Sequence, residues 1–225
     1  MHACGHDLHT TMLLGAARLL KMHEGEIQGQ VKLMFQPAEE SLGGAQGMLE
    51  AGLLENPAVD AAMMIHVAAG MPIATGTIAI PRGGVVTAAY DRFDIKVQGV
   101  GTHGAMPHMG VDPLNVLCHI HIGLQEINAR EIAPGENVAL TVGQMHGGSA
   151  ANIIPDTAFL SGTLRTFSKE TRERAKARLV EIASSIAAAF RATVGVDTSR
   201  GCPSIVNDGD LVDQAMRYTA ELLGT

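Results

Sequence analysis

The sequence predicts an α/β protein in which a mixed or parallel α/β layer is interrupted by a ferredoxin-like insertion. The first third alternates strand, helix and strand, the order of a parallel layer. From residue 82 the order becomes strand, helix, strand, strand, helix, strand, which is the βαββαβ order of ferredoxin-like folds. Of the 225 residues, 46% are hydrophobic and only 17% are charged. That composition supports a buried core and is unlike that of a disordered chain.

The elements of the first third are read from hydrophobic spacing. Apolar residues three and four apart predict a helix over 7–23, with Asp7 as a candidate cap. A short strand is predicted at 31–35, a helix at 45–54 and a buried apolar strand at 59–65. The apolar stripe of the first helix is Leu8, Met12, Ala16, Leu19 and Met22.

The insertion is predicted to occupy residues 82–200, with 1–81 and 201–225 forming the layer around it. Asp112 and Pro113 open its first helix, and Ser168 caps its second helix over 169–191. Its strands are predicted at 90–97, 138–144, 157–166 and 193–198. The stripe of the first helix is Leu117, Ile120, Leu124 and Ile127, and that of a last helix, returning to the layer, is Leu211, Ala215, Tyr218 and Leu222.

Charge and cysteine usage exclude several classes of protein. A formal net charge of −7 excludes a basic nucleic-acid binder. The uncharged run 61–81 is long enough to span a bilayer, but Gly70, Pro72 and Pro81 interrupt it, so we expect two strands and no membrane. Three cysteines are an odd number that fits a reducing compartment better than a disulfide framework, and the cytoplasm is the predicted location.

Three separate segments carry residues suited to metal chemistry. Cys4 and His6 are two apart, so an extended backbone points both to one side. Glu39 and Glu40 follow the strand at 31–35 and are expected to point differently and do different jobs, although a solvated acidic turn is the alternative. His66 ends the strand at 59–65, where a core histidine is the alternative. Cysteine, histidine and glutamate donors together suit zinc or a neighbouring transition metal.

These residues lie in longer motifs that resemble a known family. The motifs are HACGHDLHTTMLLGAA at 2–17, QPAEE at 36–40, GTHGAMPH at 101–108 followed by Asp-Pro at 112–113, NIIP at 152–155 and GTLRTF at 162–167. Together they resemble the amidohydrolase branch of the aminoacylase and carboxypeptidase metallopeptidase family. That branch includes hippurate hydrolase, N-acyl-L-amino acid amidohydrolases and indole-3-acetyl-amino acid hydrolases. The resemblance covers essentially the whole chain. It implies a catalytic α/β domain with two metal ions and an inserted lid domain through which subunits form a homodimer.

The resemblance also implies roles for individual residues. The implied metal ligands are Cys4, His6, Glu40 and His66, with the Cys4 thiolate in the position that bridges two divalent ions, which are Zn, Mn, Co or Ni. Glu39 corresponds to the general acid and base that takes a proton from water.

Further residues correspond to those that contact the substrate. His103 matches the lid histidine that polarises the scissile carbonyl, often in the partner subunit's site. Asn152 and Arg165 match residues that hold a substrate carboxylate, which implies an N-acyl or N-aroyl amino acid as substrate. Asp7 is either a partner that orients His6 or a helix cap only. His9 either lines the substrate cleft or faces outward from the helix.

The chain departs from the family at both ends, where members have further strands and one more metal-binding histidine. We therefore expect an incomplete catalytic domain, a weakened second metal site and a Met1 that corresponds to an internal methionine of relatives. The main hypothesis is metal-dependent amide hydrolysis. The alternatives are a noncatalytic fragment that dimerises through its lid, a related dipeptidase or carboxypeptidase, and a cysteine hydrolase using Cys4 with a histidine base.

Overall fold

The computed structural model describes residues 3–41, 43–68, 70 and 72–224, and it divides into two compact units. Unit 1 is Met1–Ile78 and unit 2 is Ala79–Thr225. Met1 and His2 of the opening motif lie outside the described residues. None of the helices described is both long and apolar enough to cross a membrane. The predicted boundaries of 82 and 200, with the return of 201–225 to the first layer, stay a prediction.

Unit 1 contains two α-helices and two short 3₁₀ turns in its described part. Helix α1 is His6–Met22, and α2 is Gly44–Glu50. The 3₁₀ turns are Glu24–Glu26 and Glu39–Ser41. The first predicted helix is therefore confirmed to within one residue, but its cap is wrong. Gly5 precedes the helix in the left-handed conformation with φ 75°, and its carbonyl oxygen accepts the first N–H bonds of the helix.

The strands predicted at 31–35 and 59–65 were wrong for the described residues, because neither segment forms a hydrogen-bonded ladder there. A strand needs a neighbour for its N–H and C=O groups, and the described part of unit 1 brings none alongside. The apolar side chains remain exposed, up to 80% for Met63. Instead, the half-buried Lys32 ammonium links the first segment to a turn. It donates hydrogen bonds of 2.7, 2.7 and 3.1 Å to three backbone oxygens, those of Leu53, Glu55 and Pro57.

Unit 2 is built on an antiparallel sheet. In chain order its strands are β1 (Gly84–Val85), β2 (Ala89–Gln98), β3 (Thr102–His103), β4 (Val138–Gly147), β5 (Ile153–Ile154), β6 (Thr157–Thr166), β7 (Thr193–Asp197), β8 (Gly201–Cys202) and β9 (Val206–Asn207). The main sheet has the order β4-β6-β2-β7, with β8 also pairing with β2. Numbered within the repeat, this is 2-3-1-4, so the predicted ferredoxin-like topology is confirmed. Two small ladders, β1 with β9 and β3 with β5, were not predicted.

Two helices cover one face of the sheet, α3 (Pro113–Glu126) and α4 (Lys169–Ala189). Both predicted caps are confirmed. The Asp112 carboxylate accepts N–H bonds at the start of α3, and the Ser168 hydroxyl accepts the Thr171 N–H at 3.2 Å. Every member of the predicted α3 stripe is fully buried, namely Leu117, Ile120, Leu124 and Ile127. The core therefore lies between this helical layer and alternate residues of β2 and β6.

A last helix, α5, spans Gly209–Leu223 and is capped by Asp208. It belongs to unit 2, and only Val212 of it is buried. The predicted stripe is largely exposed, with Leu211, Tyr218 and Leu222 all facing solvent. The existence and place of the helix in the chain were predicted, whereas its predicted packing face is not buried in unit 2.

Candidate metal centre and substrate-binding residues

The first cluster of the candidate site is formed by the turn that starts α1 and by the segment that carries His66. Cys4 and His6 flank Gly5, whose left-handed backbone turns the chain into the helix. Cys4 Sγ lies 3.3 Å from His66 Nε2. A Cβ on Gly5 would lie only 2.4 Å from Val67 Cγ2, so the close approach of the two segments requires glycine there.

Hydrogen bonds fix the orientation of His66. Its Nδ1 lies 2.7 Å from the Val67 carbonyl oxygen, and because that oxygen can only accept, Nδ1 carries the proton. Nε2 is then the atom with a free lone pair, and it faces the Cys4 sulfur. The next N–H in the chain, that of Val67, donates to His9 Nε2 at 3.0 Å. Burial lowers the pKa of His9, and the neighbouring His66 and His6 imidazoles lower it further.

The second cluster joins His6 to the two adjacent carboxylates. His6 Nε2 lies 3.6 Å from Glu39 Oε2 and 3.8 Å from Glu40 Oε1. The expectation that these carboxylates point differently was wrong, since both approach one nitrogen. The cause is the tight turn before α2, in which Ala38 has a left-handed φ of 50°. Gly44 permits that turn, because a Cβ there would collide with the Pro37 carbonyl oxygen.

The described residues thus offer two groups of ligand atoms, and within each group the atoms lie within 4.8 Å of one another. One group is Cys4, His6 and His66, and the other is His6, Glu39 and Glu40. The donor chemistry, one thiol, two imidazoles and two carboxylates, fits borderline transition metals such as zinc. The two groups share His6 alone. The bridging role predicted for Cys4 stays a prediction.

Asp7 lies in the first turn of α1, close to these ligands in the chain. Among the described residues its carboxylate has no hydrogen-bonded partner, and the bond in which Asp7 takes part uses its backbone oxygen, which accepts from Thr11 Oγ1 at 2.7 Å. The carboxylate does not cap the helix. Its predicted role in orienting His6 stays a prediction.

In unit 2, the structure brings His103 and Asn152 together. The β3–β5 ladder pairs His103 with Ile153, and the Gly104 N–H donates to the Asn152 carbonyl oxygen at 2.8 Å. The Ala105 N–H donates to His103 Nδ1 at 3.1 Å. Because Nδ1 accepts, a neutral His103 carries its proton on Nε2, where it is free to donate outward. The side chain is exposed.

Arg165 lies elsewhere in unit 2, on the sheet face opposite the helices. Its guanidinium carbon sits 4.5 Å from the centre of the Tyr90 ring, and the two residues are directly paired across β2 and β6. Asn152 precedes the start of β6 and Arg165 is near its end. The eight residue steps of strand from Thr157 to Arg165 span about 26 Å. The structure therefore does not bring the two predicted carboxylate-binding residues together within one copy of unit 2.

Sequence reasoning missed three residues that position these side chains. Val67 and Gly44 act through backbone contacts, and Tyr90 acts through its ring. For Val67 no local pattern reveals the close approach, because its contacts Gly5 and His9 are distant in the chain. The contact of Gly44 with Pro37 is local but depends on a turn conformation that residue spacing does not indicate. Tyr90 lies on a predicted strand, but its partner across the sheet depends on register, which alternation alone leaves open.

Comparison with known proteins identifies the relatives of this chain. The family model of peptidase family M20/M25/M40 matches residues 1–225. An N-acetyl-L-cysteine deacetylase of Bacillus subtilis is 42% identical over 92% of this chain and 49% of its own length. An IAA-amino acid hydrolase of Arabidopsis thaliana is 40% identical over 100% of this chain and 51% of its own length. The chain thus spans about half the length of the curated relatives it matches.

Solved structures agree with this assignment. A dinuclear metal-binding peptidase of the M20 family from Bacillus subtilis is 34% identical, with a TM-score of 0.74 over 99% of this chain and 55% of that one. A protein from methicillin-resistant Staphylococcus aureus, provisionally described as an aminohydrolase, is 30% identical, with a TM-score of 0.85 over 98% of this chain and 58% of that one. On the match over its full length and on these relatives, the chain belongs to peptidase family M20/M25/M40.

Proposed function

We propose that this protein takes part in metal-dependent hydrolysis of the amide bond in N-acyl or N-aroyl amino acids. The observation that carries the proposal is the pair of ligand groups that share His6, one of which includes the Glu39 carboxylate. The relatives support the substrate class, because their names describe removal of acyl groups from amino acids: N-acetylcysteine, IAA-amino acids and N-acetyldiaminopimelate.

The proposed ligands are Cys4, His6, Glu40 and His66, holding two divalent ions of the zinc, manganese, cobalt or nickel type. A relative described as a dinuclear metal-binding peptidase supports the number of ions. When bound, such ions make water nucleophilic near neutral pH and polarise a carbonyl.

The proton transfers are assigned to residues of this chain. Glu39 accepts a proton from the attacking water and delivers it to the leaving amine nitrogen. Its carboxylate is free for this work because its neighbour Glu40 is the proposed ligand. His103 donates its Nε2–H to the carbonyl oxygen as negative charge develops there, and one such donor contributes about 3 kcal/mol to the transition state.

The substrate carboxylate is assigned to Arg165 and Asn152. The Tyr90 ring supports the Arg165 guanidinium, which leaves its N–H fork free for a bidentate carboxylate. Asn152, which lies beside His103, precedes the start of β6, and about 26 Å of strand lies between that start and Arg165. One small substrate cannot reach both ends of that strand. We therefore propose that His103 and Asn152 act in a site of a second copy of the chain, in a homodimer formed through unit 2.

The test of the reaction is hydrolysis of N-acetyl amino acids by the full chain, loaded with Zn²⁺, Mn²⁺ or Co²⁺ and then treated with a chelator. We expect turnover that the chelator abolishes and that Glu39→Gln removes while metal stays bound. Glu50→Gln is the matched control, since Glu50 is an exposed glutamate at the end of α2. No turnover with any of these ions would overturn the proposal and leave the noncatalytic fragment as the explanation.

A separate experiment tests whether each site uses residues from two copies of the chain. His103→Ala and Arg165→Ala are each expected to be inactive. Mixing the two variants under conditions that exchange subunits should restore activity, because some mixed sites receive an intact His103 from one chain and an intact Arg165 from the other. Failure of the mixture to recover activity would contradict the arrangement across two copies.

A second candidate function has one observation in its favour. Cys4 Sγ and His66 Nε2 are 3.3 Å apart, which is also the arrangement of a thiol nucleophile with a histidine base. This candidate leaves Glu39 and Glu40 without a role. It predicts activity that resists chelators and is lost on alkylation of Cys4, so the chelator experiment separates it from the metal-dependent reaction.

A further inference from the structure

We propose that His9 is a positioning residue that sets the orientation of the metal ligand His66 by holding the Val67 backbone against helix α1. The functional consequence of this inference depends on the proposed metal centre. The hydrogen bonds that support it join residues of the chain and do not involve a metal ion.

The first step is a relay of two hydrogen bonds through one residue. His9 Nε2 accepts the Val67 N–H at 3.0 Å. The carbonyl oxygen of the same residue accepts the Nδ1–H of His66 at 2.7 Å. The Val67 N–H belongs to the planar peptide group that joins His66 to Val67. Fixing this N–H therefore restrains the backbone from which the His66 ring projects, and the Val67 carbonyl oxygen then sets the direction of the ring.

The second step is a contact from the other side of Val67. Its Cγ2 occupies the space where a Cβ of residue 5 would stand, 2.4 Å away, so only glycine at position 5 admits it. Three groups of Val67 are thus in contact with their surroundings. Its N–H and its side chain contact the first turns of α1, and its carbonyl oxygen contacts the His66 ring. The first turn of α1 also carries His6. The contact at Val67 therefore fixes the position of His66 relative to His6, and both are proposed ligands.

The third step separates this role from that of a ligand. The ring centres of His9 and His66 are 4.3 Å apart, so His9 stands beside the cluster. Its Nε2 lone pair is already used by the Val67 N–H, and His9 is absent from both groups of ligand atoms. Residues that orient a metal-binding imidazole change metal affinity 10–100-fold when they are removed, without contacting the ion.

The experiment compares His9→Gln with His9→Asn, two variants with the same amide group. The Gln oxygen reaches about as far as the imidazole Nε2 and can accept from Val67, whereas the shorter Asn side chain ends nearer the position of Nδ1 and cannot. His23→Asn is the control for a histidine of unit 1 outside the cluster. Far-UV circular dichroism checks that all variants keep their helices.

Two measurements give the result on the full chain. In metal-free protein, His9→Asn should speed hydrogen exchange of the Val67 amide and remove the single Nδ1–H tautomer of His66 seen by ¹⁵N NMR. With Co²⁺ as the probe, its affinity should fall 10–100-fold, and the thiolate-to-cobalt absorption should weaken. His9→Gln and His23→Asn should match the wild type in both measurements.

Unchanged Val67 exchange and an unchanged His66 tautomer in His9→Asn would overturn the proposal, and so would an equal loss of Co²⁺ affinity in the Gln and Asn variants. Failure of the wild-type chain to bind Co²⁺ would contradict the proposed metal centre instead. In that case the metal-free measurements still decide whether His9 positions His66.

Discussion

Units 1 and 2 hold their candidate functional residues by different means. In unit 2 a cluster of buried apolar side chains, drawn from residues 93–192, supports the sheet. The site residues of this unit lie on strands and on the turns that connect them. In the described part of unit 1, only Gly5 and Gly44 are buried. Its ligands are placed by tight turns, glycine contacts and a few hydrogen bonds.

In the described part of unit 1 the candidate ligands are brought together by local contacts, with few buried residues around them. Close backbone approaches at Gly5 and Gly44 bring Cys4, His66 and the two glutamates to His6. The cost is stability, because exposed apolar side chains contribute little to it. We therefore expect substitutions in unit 2 to act on folding and substitutions in unit 1 to act on ligand geometry. Four predictions test this contrast.

The largest effect is expected from opening a cavity in the core of unit 2. Leu160 is fully buried, so Leu160→Ala should lower the free energy of unfolding by about 2–5 kcal/mol. Met63→Ala in unit 1 removes a side chain that is already exposed and should change it by less than about 0.5 kcal/mol. Urea denaturation followed by circular dichroism measures both. An equal loss of unfolding free energy in the two variants would contradict the proposed difference between the units.

The next effect concerns ion pairs. Asp91 is only 2% exposed and receives two hydrogen bonds, of 2.6 and 2.7 Å, from Arg172. Arg172→Met should cost about 3 kcal/mol, at the low end for a broken buried pair because Lys176 remains nearby. Lys21→Met breaks the exposed Lys21–Glu24 pair of α1 and should leave the denaturation midpoint unchanged. A negligible shift for Arg172→Met would show that Lys176 compensates fully.

A smaller loss is expected from overpacking the sheet. A Cβ on Gly162 of β6 would lie 2.2 Å from the Phe93 ring, so Gly162→Ala should cost about 1–3 kcal/mol. Gly143 lies on neighbouring β4 and has open space at the same atom, so Gly143→Ala should be tolerated. Differential scanning calorimetry of the two variants gives the comparison. Similar melting temperatures would mean that the Phe93 ring and the Thr141 carbonyl oxygen, which lies 2.4 Å from the same Cβ position, both move aside at no cost.

The smallest effect is a dependence of stability on pH. Hydrogen bonding from Arg92 lowers the pKa of Asp94, with help from Ser161 and the Arg200 charge. The folded pKa lies below the unfolded value of about 4, so this stabilisation is present above pH 4 and is lost as the pH falls through the folded pKa. Asp94→Asn should flatten the acid limb of the stability curve, and Asp60→Asn in unit 1 should leave it unchanged. An unaltered acid limb in Asp94→Asn would contradict the assignment.

The same contrast explains what the sequence could predict. In unit 2 the order βαββαβ, both helix caps and the α3 stripe follow from local spacing, and the structure confirms them. Local spacing succeeds there because each element finds its partner within residues 89–197. In unit 1 the segments at 31–35 and 59–65 have the composition of strands, but strand formation depends on a neighbour. Composition alone does not tell whether one is present.

The candidate site was predictable in part for a similar reason. Cys4, His6, Glu39, Glu40 and His66 were selected by residue type and motif, and the structure groups them. The supporting contacts, such as Val67 with Gly5, join residues 62 apart in the chain, and no periodicity reveals them. The approach of both glutamates to one histidine depends on the left-handed backbone at Ala38, which is uncommon for a residue with a side chain.

Lys32 adds a consequence for chemical reactivity. Its ammonium donates to three backbone oxygens, so every N–H of the group is in use. An amine must release a proton and turn its lone pair outward before it can attack an acylating reagent. Although Lys32 is only half-buried, we expect it to be acylated more slowly than Lys21, whose ammonium pairs with one exposed carboxylate. Where acylation does occur, it removes two of the three N–H donors and the positive charge, which weakens the link between the two segments.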